Sequence, residues 1–122
     1  MPLKISTPTK ITSIGNKTKI IEEFIGNVNS QTSEVSIAKM KAPPNWIEPG
    51  QRPMFDEYTI VLKGQLNVKT ESGEIIAVKA GQALIAKKGE WVQYSTPDST
   101  DTEYIAVCIP AFSQEIVNRD KY

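Results

Sequence analysis

The side chains of this sequence that could take part in chemistry are acids, amines, guanidinium groups, phenols and one thiol, because its 122 residues include no histidine. That absence removes imidazole general acid–base catalysis, Ser-His and Cys-His nucleophile pairs, and imidazole metal ligands. Catalysis would therefore depend on Asp, Glu, Lys, Tyr, Arg or Cys. We consider Glu57, Tyr94 and Arg52 first, since each lies within or beside a segment with the composition of a β-strand.

The acids and amides of the sequence offer little to a metal ion. A site would have to combine Glu57 with Gln51 or with backbone oxygens, whereas Mg²⁺ and Ca²⁺ need several oxygen ligands. Transition metals are held most tightly by imidazole or thiolate groups. We therefore expect no metal site and no cofactor.

Composition and charge limit the partners. The chain carries 14 basic and 14 acidic residues, so its formal net charge is zero, and no strong electrostatic attraction draws it to nucleic acid or anionic membranes. Cys108 is the only cysteine, so the fold needs no disulfide and no oxidising compartment. Neither a signal peptide nor an apolar run of membrane-spanning length is present in the sequence. We expect a cytoplasmic protein whose partner is a small molecule.

The elements that must position these residues are short strands. Strand-like segments recur at intervals of roughly 8–12 residues with Gly or Pro between them, which is typical of an all-β sandwich or barrel. They span 35–41, 57–64, 65–73, 74–81, 82–89, 90–97 and 102–110. Residues 1–17 are polar and predict a flexible N-terminal arm, and 18–122 form one domain with a short irregular or helical tail after Ser113. The segment Lys19–Phe24 predicts an edge strand or a strand exchanged in a homodimer.

The glycine spacing of the β region resembles the two cupin motifs. Glu57 is followed after six residues by Gly64, and Gly81 is followed after five residues by Lys87, Lys88 and Gly89. The resemblance covers about residues 34–112 and implies a double-stranded β-helix, also called a jelly-roll barrel. Cupins usually carry a His-x-His before the glutamate and a further histidine in the second motif. Here the first stretch reads QRPMFD, and Val92 takes the place of the later histidine.

A closer likeness is to the ethanolamine-utilisation branch of cupins, the EutQ-like proteins. That branch shares four short motifs with this chain, in the same order: Phe55-Asp56-Glu57, Lys88-Gly89, Thr96-Pro97 and Pro110-Ala111. The layout is also similar to a broader set of stand-alone cupins. Acetate kinase activity has been attributed to the EutQ-like branch, but this sequence has nothing like a phosphate-cradling glycine loop.

The cupin resemblance implies that Glu57 points into the barrel, where burial would raise its pKa and suit it to proton transfer. The alternative is a structural carboxylate tied to Arg52 or to a backbone amide. Asp56 should face the opposite way by strand alternation. Tyr94 shares a face with Val92, so we expect it in the same cavity, either orienting a ligand or filling the barrel.

Arg52 and Met54 occupy the place of the usual metal-binding loop. Arg52 could bind a carboxylate or phosphate in bidentate fashion, or could be an ordinary surface arginine. Cys108 is expected to be a buried, inert thiol. The expected ligand-binding set is Arg52, Met54, Glu57, Val61, Val92 and Tyr94, with Glu57 and Tyr94 as the catalytic candidates.

Three functions remain open from the sequence. The first is a metal-free module that binds a small polar or carboxylate ligand in the barrel. The second is a metal-independent isomerase or lyase that uses Glu57 as general base, with Tyr94 or Arg52 as its partner, or another EutQ-like metabolic role. The third is an accessory protein whose barrel is merely filled with side chains and whose function lies on its surface.

Overall fold

Two antiparallel β-sheets build the molecule, as seen in a computed structural model that describes residues 1–121. The elements are β1 (Thr9–Ile11), β2 (Ile20–Ile25), β3 (Ser36–Ala42), β4 (Asp56–Lys63), β5 (Gln65–Thr70), β6 (Ile75–Lys79), β7 (Ala83–Ala86), β8 (Val92–Ser95), β9 (Thr102–Ile109) and α1 (Gln114–Val117). The large sheet has the order β1-β2-β3-β9-β4-β7, and the small sheet has the order β6-β5-β8. The predicted all-β cupin barrel with a short helical tail is confirmed.

Strand alternation decides which side chains reach the interior. In β4, Glu57, Thr59 and Val61 are buried, whereas Ile60 and Leu62 are exposed on the outer face. The same two-residue period holds in β9, whose even-numbered residues are buried. The core lies between the sheets. It consists of Ala42, Trp46, Val61, Leu66, Val68, Val78, Ala86, Val92, Tyr94, Tyr104 and Ala106, flanked by Met40 and Leu84.

The N-terminal region differs from the sequence-based expectation. The strand β1 lies inside the segment 1–17, and the strand β2 pairs with both β1 and β3 of the same chain. Thr9 and Ile11 have high strand propensity, and Thr9 Oγ1 donates to Asn29 Oδ1 at 2.6 Å. Strand pairing and a side-chain hydrogen bond thus fix the position of β1, which lies in the segment that composition predicts to be a flexible arm.

The C-terminal tail folds back over one end of the barrel. Backbone amides of Arg52 and Met54 donate to the carbonyls of Asn118 and Ile116, and the Asp120 amide donates to the Gly50 carbonyl. These bonds bring the segment around α1 beside the loop that precedes β4. Within residues 1–121, no helix has the length and apolarity needed to cross a membrane.

Gly64, the glycine of the first motif, is required by both its backbone angle and its surroundings. Its φ is +76°, and a Cβ there would lie 2.4 Å from the carbonyl oxygen of Asp101. Gly73 has a similar φ of +91° but open space around it.

We expect Gly73→Ala to lower the free energy of unfolding by about 1–2 kcal/mol, the usual cost of a left-handed alanine, and Gly64→Ala to lower it further. Urea denaturation of the two variants measures the difference. Equal losses would show that the clash with Asp101 is relieved at no cost.

Candidate functional site

One end of the barrel encloses a cavity of about 60 Å³ between the large sheet, β8 and the C-terminal tail. Its wall is built from β1, β2, β3, β4, β8, β9 and the loops that cover them. The lining residues are Ile11, Thr12, Lys19, Ile21, Glu23, Ser36, Ala38, Met40, Glu48, Gln51, Phe55, Glu57, Tyr94, Tyr104, Ala106, Cys108, Phe112, Gln114 and Arg119. The wall is mostly apolar, with ionisable groups placed among the apolar side chains.

Glu57 and Tyr94 meet inside this cavity. Glu57 comes from β4 and Tyr94 from β8, both buried, and the Tyr94 hydroxyl donates to Glu57 Oε1 at 3.2 Å. Burial, together with the nearby Glu48 carboxylate, raises the pKa of Glu57 to about 7, although Lys19 and the Tyr94 hydrogen bond act in the opposite direction. A carboxyl group with this pKa can hold or release a proton near neutral pH.

Lys19 is a buried ammonium group on the same wall. Its Nζ donates to the Tyr104 hydroxyl at 2.9 Å and lies 4.1 Å from the centre of the Trp46 ring, a distance typical of a cation–π contact. Burial lowers the pKa of Lys19, but Tyr104, Glu48 and Glu57 outweigh burial, so its pKa is higher than usual. The side chain is therefore a cation at neutral pH.

Glu48 and Arg119 complete the ionisable set. Burial raises the pKa of Glu48, and the positive charges of Lys19 and Arg119 counteract that rise. The Arg119 Nη1 donates to Gln114 Oε1 at 3.0 Å, and its buried Nε has no hydrogen-bond partner among residues 1–121. Within the same residues, neither Lys19 nor Arg119 has a carboxylate oxygen within 4.0 Å. Two cations thus border the cavity without a direct ion pair.

The structure does not bring Arg52 and Met54 to this cavity. The loop before β4 is extended, with Gln51, Pro53 and Phe55 buried and the residues between them exposed. Arg52 therefore points outward, where it pairs with Glu71 and donates to the Gly89 carbonyl. The expected alternative of a Glu57 carboxylate tied to Arg52 is wrong for the same reason.

Val61 and Val92 are buried close to the pair but do not line the cavity. Val61 belongs to the core between the sheets. Val92 also lies in that core and lines a separate, more open groove that Arg52 borders as well. Asp56 faces away from Glu57, as expected, and accepts a hydrogen bond from the Lys88 amide. Cys108 is buried, and burial raises the pKa of its thiol.

Sequence reasoning missed Lys19, Glu48, Tyr104 and Arg119. Strand alternation in β9 could have placed Tyr104 on the inner face with Cys108. The others gave no such signal, because Lys19 precedes β2, Glu48 lies in the irregular segment between β3 and β4, and Arg119 follows α1. Their arrangement depends on contacts between distant parts of the chain.

The cavity residues do not fit the metal ion that cupins commonly hold. Residues 1–121 contain no cluster of three or more His, Cys, Asp or Glu side chains that could hold one. The Glu57 carboxylate accepts a hydrogen bond from the Tyr94 phenol instead of belonging to a group of metal ligands. The nearby ammonium and guanidinium groups would also repel a metal cation. We therefore derive no chemistry from a metal.

Comparison with known proteins identifies the family of the chain. The sequence model of the family "Ethanolamine utilisation protein EutQ" matches residues 50–115. A Myxococcus xanthus protein named endoribonuclease YbeY is 40% identical over 102 residues, which cover 84% of this chain and 34% of that protein. The acetate kinase EutQ of Salmonella typhimurium is 38% identical over 52 residues, which cover 43% of this chain and 22% of that protein.

Both relatives are thus much longer than the part that this chain matches. A crystal structure of a Salmonella typhimurium protein assigned to ethanolamine utilization has a similar fold. Its TM-score is 0.67 at 21% identity, and the match covers 86% of this chain and 97% of that one. The family match spans more than half of the 122 residues. This chain belongs to the EutQ family of cupins.

Proposed function

We propose that the protein binds a short carboxylate in the barrel cavity without a metal ion. The observation that carries this proposal is the pair of cations, Lys19 and Arg119, on a largely apolar wall beside the Glu57–Tyr94 hydrogen bond. Buried charges are costly unless they are paired. Glu48 acts on both cations, but no carboxylate oxygen of residues 1–121 lies within 4.0 Å of either, so an anionic ligand would supply a direct ion pair.

The donors of these cations have capacity left. Lys19 Nζ has three protons and, among residues 1–121, makes one hydrogen bond, to Tyr104. Arg119 uses Nη1 for Gln114 and leaves Nε unpaired among residues 1–121. Guanidinium groups bind carboxylates with two parallel hydrogen bonds. The apolar part of the ligand would contact side chains such as Phe55 and Phe112, which also line the cavity.

Glu57 would couple this binding to a proton. An anion in the cavity repels the ionised Glu57 carboxylate and favours its protonated form. Since the pKa of Glu57 is about 7, affinity should be highest below neutral pH and should fall as the pH rises past 7. The groups that share the cavity and bear on this titration are Lys19, Glu23, Glu48, Tyr94, Tyr104, Cys108 and Arg119.

The size of the cavity limits the ligand. Its volume of about 60 Å³ exceeds the roughly 10–15 Å³ that one water needs and is far below the roughly 300 Å³ of pockets for drug-sized ligands. A molecule with a few non-hydrogen atoms fits this range, and a nucleotide or an RNA strand does not. We therefore do not extend acetate kinase or endoribonuclease activity, named for two much longer relatives, to this cavity.

Titration of ¹H–¹⁵N spectra with acetate and propionate tests the proposal, with acetamide and propionamide as uncharged matches and ethanolamine as a cationic comparison. We expect saturable shifts of cavity residues with the carboxylates only.

Ala38→Val should abolish these shifts because Ala38 lines the cavity, whereas Ala86→Val should not. Both alanines are almost equally buried, at 9% and 8% exposure. Equal responses to acid and amide, or to the two variants, would contradict the proposal. Binding of none of these compounds would favour the surface-accessory function.

An enzymatic function is the second candidate, and the pKa of Glu57 favours it. A general base works best when its pKa is near the working pH, and that of Glu57 is about 7. With Tyr94 as hydrogen-bond partner, Glu57 would remove a proton from a small carboxylate in an isomerisation or elimination. Glu57→Gln would then abolish turnover and leave affinity at low pH largely intact.

A further inference from the structure

The segment around α1 covers the cavity but has few buried contacts with the barrel. Of residues 113–121, Val117 alone is buried, and it packs against Phe55 and Cys108. The helix α1 has four residues, and within residues 1–121 the side chain of its N-cap residue, Ser113, makes no capping hydrogen bond. Segments with few buried apolar contacts open at a lower cost in free energy than the core. Residues 113–121, which we call the tail clamp, can therefore open while the two sheets stay intact.

The bonds that hold the tail clamp in place are mostly polar. The amides of Arg52, Met54 and Asp120 form backbone hydrogen bonds between the clamp and the loop before β4. At the surface, the Trp91 indole Nε1 donates to Asp120 Oδ2 at 2.8 Å. Each such bond adds little net stability, because water replaces it when it breaks. The bonds lie side by side along one short segment, so we expect them to break together.

The inner side of the clamp brings a cation to the ligand site. Gln114 and Arg119 line the cavity, and Arg119 Nε is buried without a hydrogen-bond partner among residues 1–121. The other cation, Lys19, is hydrogen-bonded to Tyr104 of β9 and so belongs to the wall of the barrel. A carboxylate between the two cations would connect the clamp to the barrel.

We propose that the tail clamp opens to admit the ligand and closes on its carboxylate through Arg119. This inference rests on the proposed binding of a short carboxylate. A ligand that binds the closed clamp more tightly must also hold the clamp closed, by the same factor in the equilibrium constant. The clamp also controls the rates, because the ligand enters and leaves only while the clamp is open.

Amide hydrogen exchange with and without propionate tests the coupling. The amides of Arg52, Met54 and Asp120 should exchange through one shared opening. With propionate at about ten times its dissociation constant, all three should slow by about 10-fold. The amides of Thr70 and Gly73 are the control, because they form the turn between β5 and β6 and should not change.

The result separates this proposal from the binding function on which it rests. Shifts of cavity residues with propionate, without slower exchange of the three clamp amides, would overturn the clamp and leave the binding function standing. Absence of any shift would overturn both.

Two variants that remove the same hydrogen bond test the control of the rates. Asp120→Ala removes the acceptor, and Trp91→Phe removes the donor while keeping an aromatic ring over Gly50. Each should raise the association and dissociation rates of propionate together, by about 5-fold, and change the dissociation constant by less than about 2-fold. A clamp that is closed most of the time loses little affinity when it opens more often, which is why the two rates change in parallel.

Line shapes in ¹H–¹⁵N titrations with propionate give both rates. Asp98→Ala is the matched control, since Asp98 is an exposed acid in the loop between β8 and β9 and its loss should leave both rates unchanged. Circular dichroism checks that every variant remains folded. A faster dissociation alone, or unchanged rates in both clamp variants, would overturn the proposal.

Discussion

Glu57→Gln is expected to raise the free energy of unfolding by about 3 kcal/mol at pH 8 and to change it little at pH 4. The fold raises the pKa of Glu57 from an ordinary 4.5 to about 7. Each unit of difference corresponds to about 1.4 kcal/mol. The folded state therefore prefers the protonated carboxyl, which the neutral amide of glutamine resembles in shape and in lacking a charge.

The sign follows from proton linkage. Below about pH 4.5 Glu57 is protonated in both states, so its contribution to stability is fully present. As the pH rises to about 7 the unfolded chain releases this proton and the folded chain retains it, so stability decreases. Well above pH 7 this contribution to the free energy of unfolding is lost completely. Glutamine has no proton to release, so Glu57→Gln avoids that loss.

Urea denaturation at pH 4 and pH 8 measures this effect. Glu74→Gln is a suitable control, because Glu74 lies exposed in the turn before β6 and its replacement should matter little at either pH. An equal effect of Glu57→Gln at both pH values would mean that the carboxyl group is not desolvated in the fold. It would also remove the basis for coupling ligand binding to a proton.

Lys19→Met is expected to weaken binding of propionate by about 100-fold. A hydrogen bond to a charged group contributes roughly 1.5–3 kcal/mol, and loss of the ammonium removes such a bond from the ligand. Methionine keeps an unbranched apolar chain against the Trp46 ring. Because Lys19 is one of the groups that lower the pKa of Glu57, the variant should also raise that pKa above 7.

Calorimetry with propionate measures the affinity, and the ¹³C shift of the Glu57 carboxyl group reports its titration. Lys17→Met is the control, since Lys17 is exposed and its Nζ donates to the Pro44 carbonyl away from the cavity. A normal affinity in Lys19→Met together with a higher pKa of Glu57 would show that Lys19 tunes the carboxyl group without touching the ligand. Retained affinity with an unchanged pKa would place Lys19 outside the site altogether.

The part of the site that alternation controls could be predicted from the sequence. Glu57 and Tyr94 each lie in a segment with a clear two-residue period, so the cupin likeness and the pleat of a strand were enough to face them inward. Arg52 and Met54 were placed by analogy with a metal-binding loop. The extended loop, however, alternates from Gln51 to Phe55 and turns both of them outward.

The cationic half of the site could not be predicted in this way. Lys19 meets Tyr104 across 85 positions of sequence, and this contact forms only when β2, β3 and β9 are adjacent in the large sheet. Arg119 reaches the cavity only because the tail binds the backbone of the loop before β4. Such placements depend on pairing between distant segments, and local composition carries no record of that pairing.

The reaction rate of the buried Cys108 thiol should report how often the cavity opens to solvent. Cys108 is the sole cysteine and its side chain lines the same enclosure as Glu57. A thiol reagent has to enter the cavity by the same opening as a small ligand. Its reaction rate with Cys108 therefore depends on how often the cavity opens. A bound ligand would slow this reaction, and the slower rate can be measured on the unlabelled, unmutated protein.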